Sequence, residues 1–283
     1  MATDFGKIFF VGAGPGNPEL LTIKAAKVIQ QADIIITDRL VSEEIISLYA
    51  NPKAIVIPVG KQGGSNASAA QTEINDLLVQ FATVYKNVVR LKGGDVSLYS
   101  NILDELIAAK KNNIQYEIIP GITAVSGASA YTGVPLTARG YATGVRVLTY
   151  YTHTAISDEA WKHLAIFEDT LVFYMSGNAL PQLVNNLLIA GADENISFLV
   201  IEQATTQNQH VHAFKLGTFN TELHSEFISP SLVIMGKVTE LYKQFAWLPN
   251  NNERKNYFKA LQDYPELISL INNIQESSNV SRA

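Results

Sequence analysis

The sequence predicts an α/β fold in two parts, and three observations carry that reading. Apolar, strand-like runs alternate with helical stretches through the first half of the chain, the pattern of a mainly parallel sheet covered by helices. Several of those runs end in turns crowded with glycine. Beyond Leu136 the strand-like runs come closer together, which predicts a second, mixed or antiparallel sheet.

The elements follow in order. Lys7 to Val11 reads as the first strand and stops at Gly12-Ala-Gly-Pro-Gly16. Asn17 is placed to cap a helix with Pro18 at its first position. Leu20, Leu21, Ile23, Ala26, Val28 and Ile29 supply that helix with an apolar face. Asp33 to Thr37 is a strand, Val41 to Tyr49 a helix, Ala54 to Val59 a strand and Gln71 to Phe81 a helix. Asn87 to Leu91 is a strand that runs into Lys92-Gly-Gly-Asp95, followed by a helix from Asn101 to Lys111. Tyr116 to Ile119 is a strand that opens into the small-residue turn segment Pro120 to Thr137. The second part holds strands at Val145 to Tyr151, Thr170 to Met175, Ile196 to Glu202, Val211 to Leu216 and Ser231 to Met235, with a helix at Asn178 to Ile189. The change of character falls in 137–144, so the expected domains are 1–138 and 139–248. A polar and then weakly helical tail, 249–283, follows.

Composition narrows the function. The 283 residues are 47% hydrophobic and 17% charged, enough apolar material for a substantial core. A net charge of −5 argues against general nucleic-acid binding, which uses a basic face. With no cysteine, disulfides, thiolate catalysis and thiolate metal sites are excluded. Met1 to Gly6 lacks a basic stretch followed by an apolar one, and no uncharged apolar segment approaches the ~20 residues that span a bilayer. A soluble, cytoplasmic protein is expected, without a membrane or nucleic-acid partner.

The motifs point to main-chain recognition. Small residues crowd Arg90-Leu-Lys-Gly-Gly-Asp95 and Pro120 to Thr137, two turns at strand ends where something must approach the backbone closely. Ligands of open α/β sheets gather at such ends. The Gly12–Gly16 cluster fails the dinucleotide fingerprint, because Asn17 stands where glycine is needed and Pro15 removes a donor. Val59-Gly-Lys-Gln-Gly-Gly64 is not a phosphate loop either, lacking the Ser/Thr after Lys61. Asp38, at the end of the second strand, suits a general base or a cap on the next helix, and local sequence favours the cap. Asp95 reads as a turn or cap residue. His210 and His212 face the same way on one strand, as alternate residues of an exposed edge do. No third ligand accompanies them, so no metal is expected. No G-x-S-x-G elbow supports acyl transfer.

Together the motifs resemble the tetrapyrrole methylase family. The resembling residues are Val11-Gly-Ala-Gly-Pro-Gly16 with Leu20-Leu-Thr22, Asp38-Arg-Leu-Val41, Val59-Gly-Lys61, Val89 to Asp95, Pro120 to Tyr141, Leu171 to Met175 and Ser229 to Gly236. They recur in order over about residues 7–246. The resemblance implies two α/β domains with the active site in the interdomain cleft, a homodimer, and S-adenosyl-methionine as cofactor. It implies methyl transfer to C2 and C7 of uroporphyrinogen III, giving precorrin-2 for sirohaem and cobalamin. By the same resemblance Asp38 is the base and Lys61 the proton donor. Pro15, Gly93, Gly94, Asp95, Leu98, Thr123, Ala124, Met175 and Ala204 contact the cofactor. Arg39, Arg139 and Arg146 are candidates for the carboxylates of the substrate, since a planar guanidinium suits bidentate pairing; ordinary surface solvation explains them equally well.

The chain also departs from the family pattern. After Gly-Gly-Asp the family continues with a glycine-rich basic loop. Here Val96-Ser-Leu-Tyr-Ser-Asn-Ile-Leu-Asp-Glu105 replaces it, a better helix start with Ser100 or Asn101 as the expected cap. Pro135-Leu-Thr-Ala-Arg-Gly140 lacks the family's histidine and aspartate, and Ala204 stands where glycine is usual. These changes leave room for another tetrapyrrole acceptor, or for a cofactor-binding member with impaired catalysis.

Overall fold

A computed structural model describes residues 5–59, 67–151, 155–220, 226–251 and 253–258. The chain divides into two compact units: Met1–Thr123 with Phe258–Ala283, and Ala124–Tyr257. The division falls between Thr123 and Ala124, ahead of the 137–144 stretch.

The first unit runs β1 (Lys7–Gly12), α1 (Ile23–Gln30), β2 (Ile34–Asp38), α2 (Glu43–Tyr49), β3 (Ile55–Val59), α3 (Ala67–Ala82), β4 (Asn87–Lys92), α4 (Ile102–Lys111) and β5 (Tyr116–Ile119). Its sheet has the order β3-β2-β4-β1-β5, and every pairing is parallel. Parallel strands covered on both faces read as unbroken apolar runs, and Ile34-Ile-Ile36 is such a run. Ile34 and Ile36 pack with Phe81, Leu78 and Val88 on one face. Ile35 turns to the other face, with Ile29, Ile45 and Leu91.

The second unit runs α5 (Ala124–Thr132), β6 (Val145–Thr149), α6 (Asp158–Ala165), β7 (Thr170–Tyr174), α7 (Leu180–Ile189), β8 (Ser197–Glu202), β9 (His210–Lys215), β10 (Ser231–Met235) and the short α8 (Tyr242–Phe245). Its sheet has the order β6-β7-β10-β8-β9. β6 and β7 are parallel, and the other pairings are antiparallel, so of the mixed or antiparallel sheet that the strand spacing predicts, it is the mixed one. Leu171, Phe173, Phe198, Val200 and Val233 pack with Trp161, Leu180, Leu183 and Leu187 into one core. No helix among the described residues is long and apolar enough to cross a membrane.

Several local expectations are corrected. The helix after Asn17 is two pieces: the Asn17 side chain accepts from Glu19 N at the head of a single 3-10 turn, Pro18–Leu20, and Thr22 caps α1 through Ala25 N. A second capping residue within one apolar stretch restarts the helix. Asn101 precedes α4 in the left-handed region with no side-chain cap bond, and Ser100 Oγ donates back to Val96 O. α5 lies where a small-residue turn is expected, because alanine-rich sequence is helix-competent once its first turn is held. α6 was not anticipated, although Ser157 caps it through Ala160 N and Asp158 and Glu159 occupy its first turn. The weakly helical reading of the tail falls almost wholly outside the described residues.

Candidate active site

In the first unit, β1 and β4 are neighbours with Gly12 opposite Lys92, so the turns after both strands emerge side by side. They interlock: Gly14 N donates to Gly94 O over 3.0 Å and Gly94 N to Gly14 O over 2.7 Å. Gly14 and Gly94 have φ of +77° and +70°, a region in which a Cβ is strained. A Cβ on Gly121 would sit 2.3 Å from Gly94 O, and one on Gly93 would sit 2.7 Å from Leu40 O. Close approach is thus the reason for these glycines, as the sequence suggests, but what approaches them is the chain's own neighbouring backbone. Asp95 completes the knot, accepting from Ser97 N at 2.8 Å and from Gly121 N at 2.9 Å. Pro15 is buried in the first turn, and Leu98 and Thr123 are half-buried nearby in sequence.

Asp38 ends β2, which pairs with β4. It is not the cap of α2: Ser42 takes that place, its Oγ accepting from Glu44 N at 3.2 Å. The Asp38 carboxylate instead accepts from Arg90 Nη2. Arg90 is 2% exposed in the middle of β4, and its Nε donates to Glu105 Oε1 at 2.8 Å. Its Nη1 donates to Ile36 O at 3.3 Å. Lys92, two residues along and therefore on the same face, donates to both Glu105 oxygens at 3.0 and 3.1 Å. Glu105 projects from α4 and its side chain is fully buried. Two cations thus meet two carboxylates, which lets the group survive burial. Burial opposes the Arg90 charge, but Asp38 and Glu105 outweigh it and hold the guanidinium pKa above its ordinary value. Burial, reinforced by the Arg90 charge, lowers the Lys92 pKa, with Asp38 and Glu105 opposing. Asp38 keeps 30% of its side chain exposed, so it is the member of the group that a substrate can reach.

In the second unit, β10 runs antiparallel to both β7 and β8, so those two strands end at the same edge of the sheet. Met175 follows β7 with φ of 58°, and Gln203 and Thr205 follow β8 with φ of 48° and 70°. Non-glycine residues rarely adopt this region, and it clusters at functional sites. Ala204 stands between the last two without a positive φ of its own, so its methyl group brings no left-handed strain. Tyr174 Oη accepts from Val125 N at 2.9 Å, pinning the first turn of α5 to the end of β7. Ala124, Met175 and Ala204, separated by the sequence, therefore share one end of this unit. The Tyr151 hydroxyl hydrogen-bonds Met175 Sδ.

The arginines behave differently from one another. Arg146 Nε donates to Asp169 Oδ2 at 2.8 Å, Arg139 is exposed, and Arg39 is half-buried in the turn after Asp38. Lys61, His153 and His224 lie outside the described residues. His210 and His212 sit on the edge strand β9 with ring centroids 4.5 Å apart. Among the described residues no group of three or more His, Asp or Glu is placed to hold a metal. Sequence reading missed Arg90, Lys92 and Glu105 as a group. The available signal was a pair of cations, two apart, inside an otherwise apolar strand.

Comparison with known proteins bears on the family and the fold. Residues 7–220 match the model of the tetrapyrrole (corrin/porphyrin) methylases. The chain is 42% identical over 239 residues to an S-adenosyl-L-methionine-dependent uroporphyrinogen III methyltransferase, chloroplastic, of Arabidopsis thaliana, covering 83% of this chain and 64% of that one. It is 38% identical over 259 residues to a siroheme synthase of Pseudoalteromonas translucida, covering 91% and 54%. The chain thus spans between about half and two thirds of the length of these relatives. Among solved structures, uroporphyrin-III C-methyl transferase from Thermus thermophilus complexed with S-adenyl homocysteine superposes with a TM-score of 0.70 at 30% identity, covering 83% of this chain and 94% of that one. A cobalt precorrin-4 methyltransferase superposes at 0.68 with 25% identity, covering 81% and 94%. On the match over most of its length, and on the fold described above, the chain belongs to the tetrapyrrole methylase family.

Proposed function

We propose that the protein is an S-adenosyl-methionine-dependent C-methyltransferase that converts uroporphyrinogen III to precorrin-2 by methylation at C2 and C7. The observation that carries this reading is Asp38, a partly exposed carboxylate held by buried Arg90 at the end of β2. The glycine turns follow β1 and β4, strands of the same sheet as β2.

The residues present suit this donor. It has no phosphate, and the interlocked turns of Gly12–Gly16 and Gly93–Asp95 carry no lysine or arginine beyond Lys92, whose ammonium is engaged by Glu105. On the family resemblance, Pro15, Gly93, Gly94, Asp95, Leu98, Thr123, Ala124, Met175 and Ala204 would hold it. The bound donor supplies an electrophilic methyl group on a sulfonium. Holding the attacking pyrrole carbon in line with it supplies much of the rate. Once the carbon–carbon bond forms, a proton must leave the tetrapyrrole, and Asp38 is the group to accept it. Lys61 takes the proton-donor role, and Arg39, Arg139 and Arg146 the substrate carboxylates, on the family resemblance. The resemblance likewise supports a cytoplasmic homodimer and a place in sirohaem or cobalamin synthesis.

The replaced segment Val96 to Glu105 favours one second reading. Tyr99 and Asn101 both have left-handed backbones, with φ of 55° and 59°, in a segment that has lost the family's glycines. A different tetrapyrrole acceptor fits that change. Anaerobic incubation with enzymatically generated uroporphyrinogen III and methyl-labelled donor tests both. Label in a dimethylated product supports the main reading. Label only with a later precursor supports the second, and donor binding without any transfer overturns both.

A further inference from the structure

Gln203 is 1% exposed and sits in a left-handed backbone immediately before Ala204. Its side-chain amide is used at both ends. Oε1 accepts from Tyr257 N at 2.6 Å, and Nε2 donates to Lys255 O at 2.9 Å and to Asn208 O at 3.4 Å. The segment that follows α8 is thereby fastened to the β8–β9 turn. Other bonds repeat the attachment: Asn208 Nδ2 donates to Lys255 O at 3.2 Å and Asn251 Nδ2 to Gln207 O at 2.8 Å. Arg254 pairs with the buried Glu202 at 2.7 Å. On the other side of Ala204, Thr205 N donates to Gln209 Oε1 at 2.8 Å, and Gln209 Nε2 reaches Tyr131 O, on α5, at 3.4 Å. Ala204 therefore stands between Gln203, whose own side-chain amide is bonded at both ends, and Thr205, whose N–H is held by the Gln209 amide. One glutamine is anchored to the 253–257 strap and the other to α5.

We infer that Gln203, clamped by the 253–257 strap, is a positioning residue that sets the affinity for the methyl donor through the main chain of Ala204. This rests on the functional reading above, in which Ala204 meets the donor. The residues before and after Ala204 hold unfavourable backbone conformations, and such conformations persist only where surrounding bonds over-determine them. Releasing the clamp lets the turn relax toward ordinary backbone angles and away from the geometry the donor requires. The chemistry at Asp38 belongs to the other unit and does not depend on the clamp, so the effect falls on binding.

The test uses the full chain and its Gln203→Ala and Asn251→Ala variants. Calorimetry measures S-adenosyl-homocysteine affinity, steady-state methyl transfer measures KM and kcat, and hydrogen exchange reports on 253–257. The expected result for Gln203→Ala is faster exchange in the strap and about tenfold weaker binding, the scale of one buried hydrogen bond expressed as affinity. KM for the donor should rise by the same factor, with kcat at saturating donor within about twofold. Asn251→Ala, which removes more exposed bonds to Gln207, Asn208 and Glu253, should shift both in the same direction by less, and it serves where Gln203→Ala does not fold. Faster strap exchange with unchanged affinity overturns the inference. A parent protein that binds no S-adenosyl-homocysteine overturns the functional reading itself.

Discussion

Arg90 Nε donates to Glu105 Oε1 over 2.8 Å, joining β4 to α4 where both side chains are almost wholly buried. Removing one partner leaves the other charge buried without compensation, which costs about 3–5 kcal/mol. Glu105→Leu strands Lys92 and leaves Arg90 with Asp38 as its remaining carboxylate. Urea titration should show a midpoint lowered in proportion, with an unchanged slope. A loss below about 1 kcal/mol, typical of an exposed pair, would show that water reaches this group.

Asp38 gives the opposite dissociation. It is partly exposed, so Asp38→Asn should disturb folding less than Glu105→Leu does. Methyl transfer should fall by roughly 10²–10⁴-fold, the usual contribution of a positioned acid or base, while S-adenosyl-homocysteine binding is retained. Equal loss of binding and turnover would assign Asp38 to the scaffold instead.

Gly121 and Gly140 separate crowding from backbone strain. In Gly121→Ala the new Cβ meets main-chain atoms at 2.3 Å. The interlocked turns must then part, at a cost of about 1–3 kcal/mol and with weakened donor binding. In Gly140→Ala nothing lies within 4 Å, but φ is +84°, so a strain of about 1–2 kcal/mol is expected, without an effect on affinity. Thermal melts paired with calorimetry distinguish the two.

Glu117 faces Lys7 at 2.6 Å and also pairs with Lys24. Hydrogen bonds from Lys24 and then Lys7 lower its pKa from 4.5 to about 2. A carboxylate depressed by folding stabilises above its unfolded pKa and loses that contribution as pH falls through the folded value. The melting temperature of the parent should therefore exceed that of Glu117→Gln at pH 7. The gap should close between about pH 4.5 and 2, and salt should narrow it at neutral pH, since the group is partly open to solvent. A gap that widens on acidification would reverse the assignment.

Strands β1 to β5 were legible because each is a short run between turn signals, and in β2 and β4 burial on both faces leaves little choice of residue. Helix α5 was not, because Gly, Ser and Ala read as a turn until Tyr174, forty-nine positions away along the chain, holds its first turn. The cap expected of Asp38 failed for a similar reason: Ser42 is nearer to α2, and Arg90, fifty-two residues distant, offers a stronger partner.

Local sequence, by its periodicity and its turn residues, determined the strand–helix alternation, the parallel and mixed sheets and the absence of thiol chemistry. Motif order settled the family. Tertiary structure alone decided which charges meet across β4 and α4, which backbones the glycines admit, and that Gln203 clasps the strap after α8. Those contacts depend on which strands and helices come to lie side by side. A residue's own neighbours in the chain carry no record of the partner that folding brings to it.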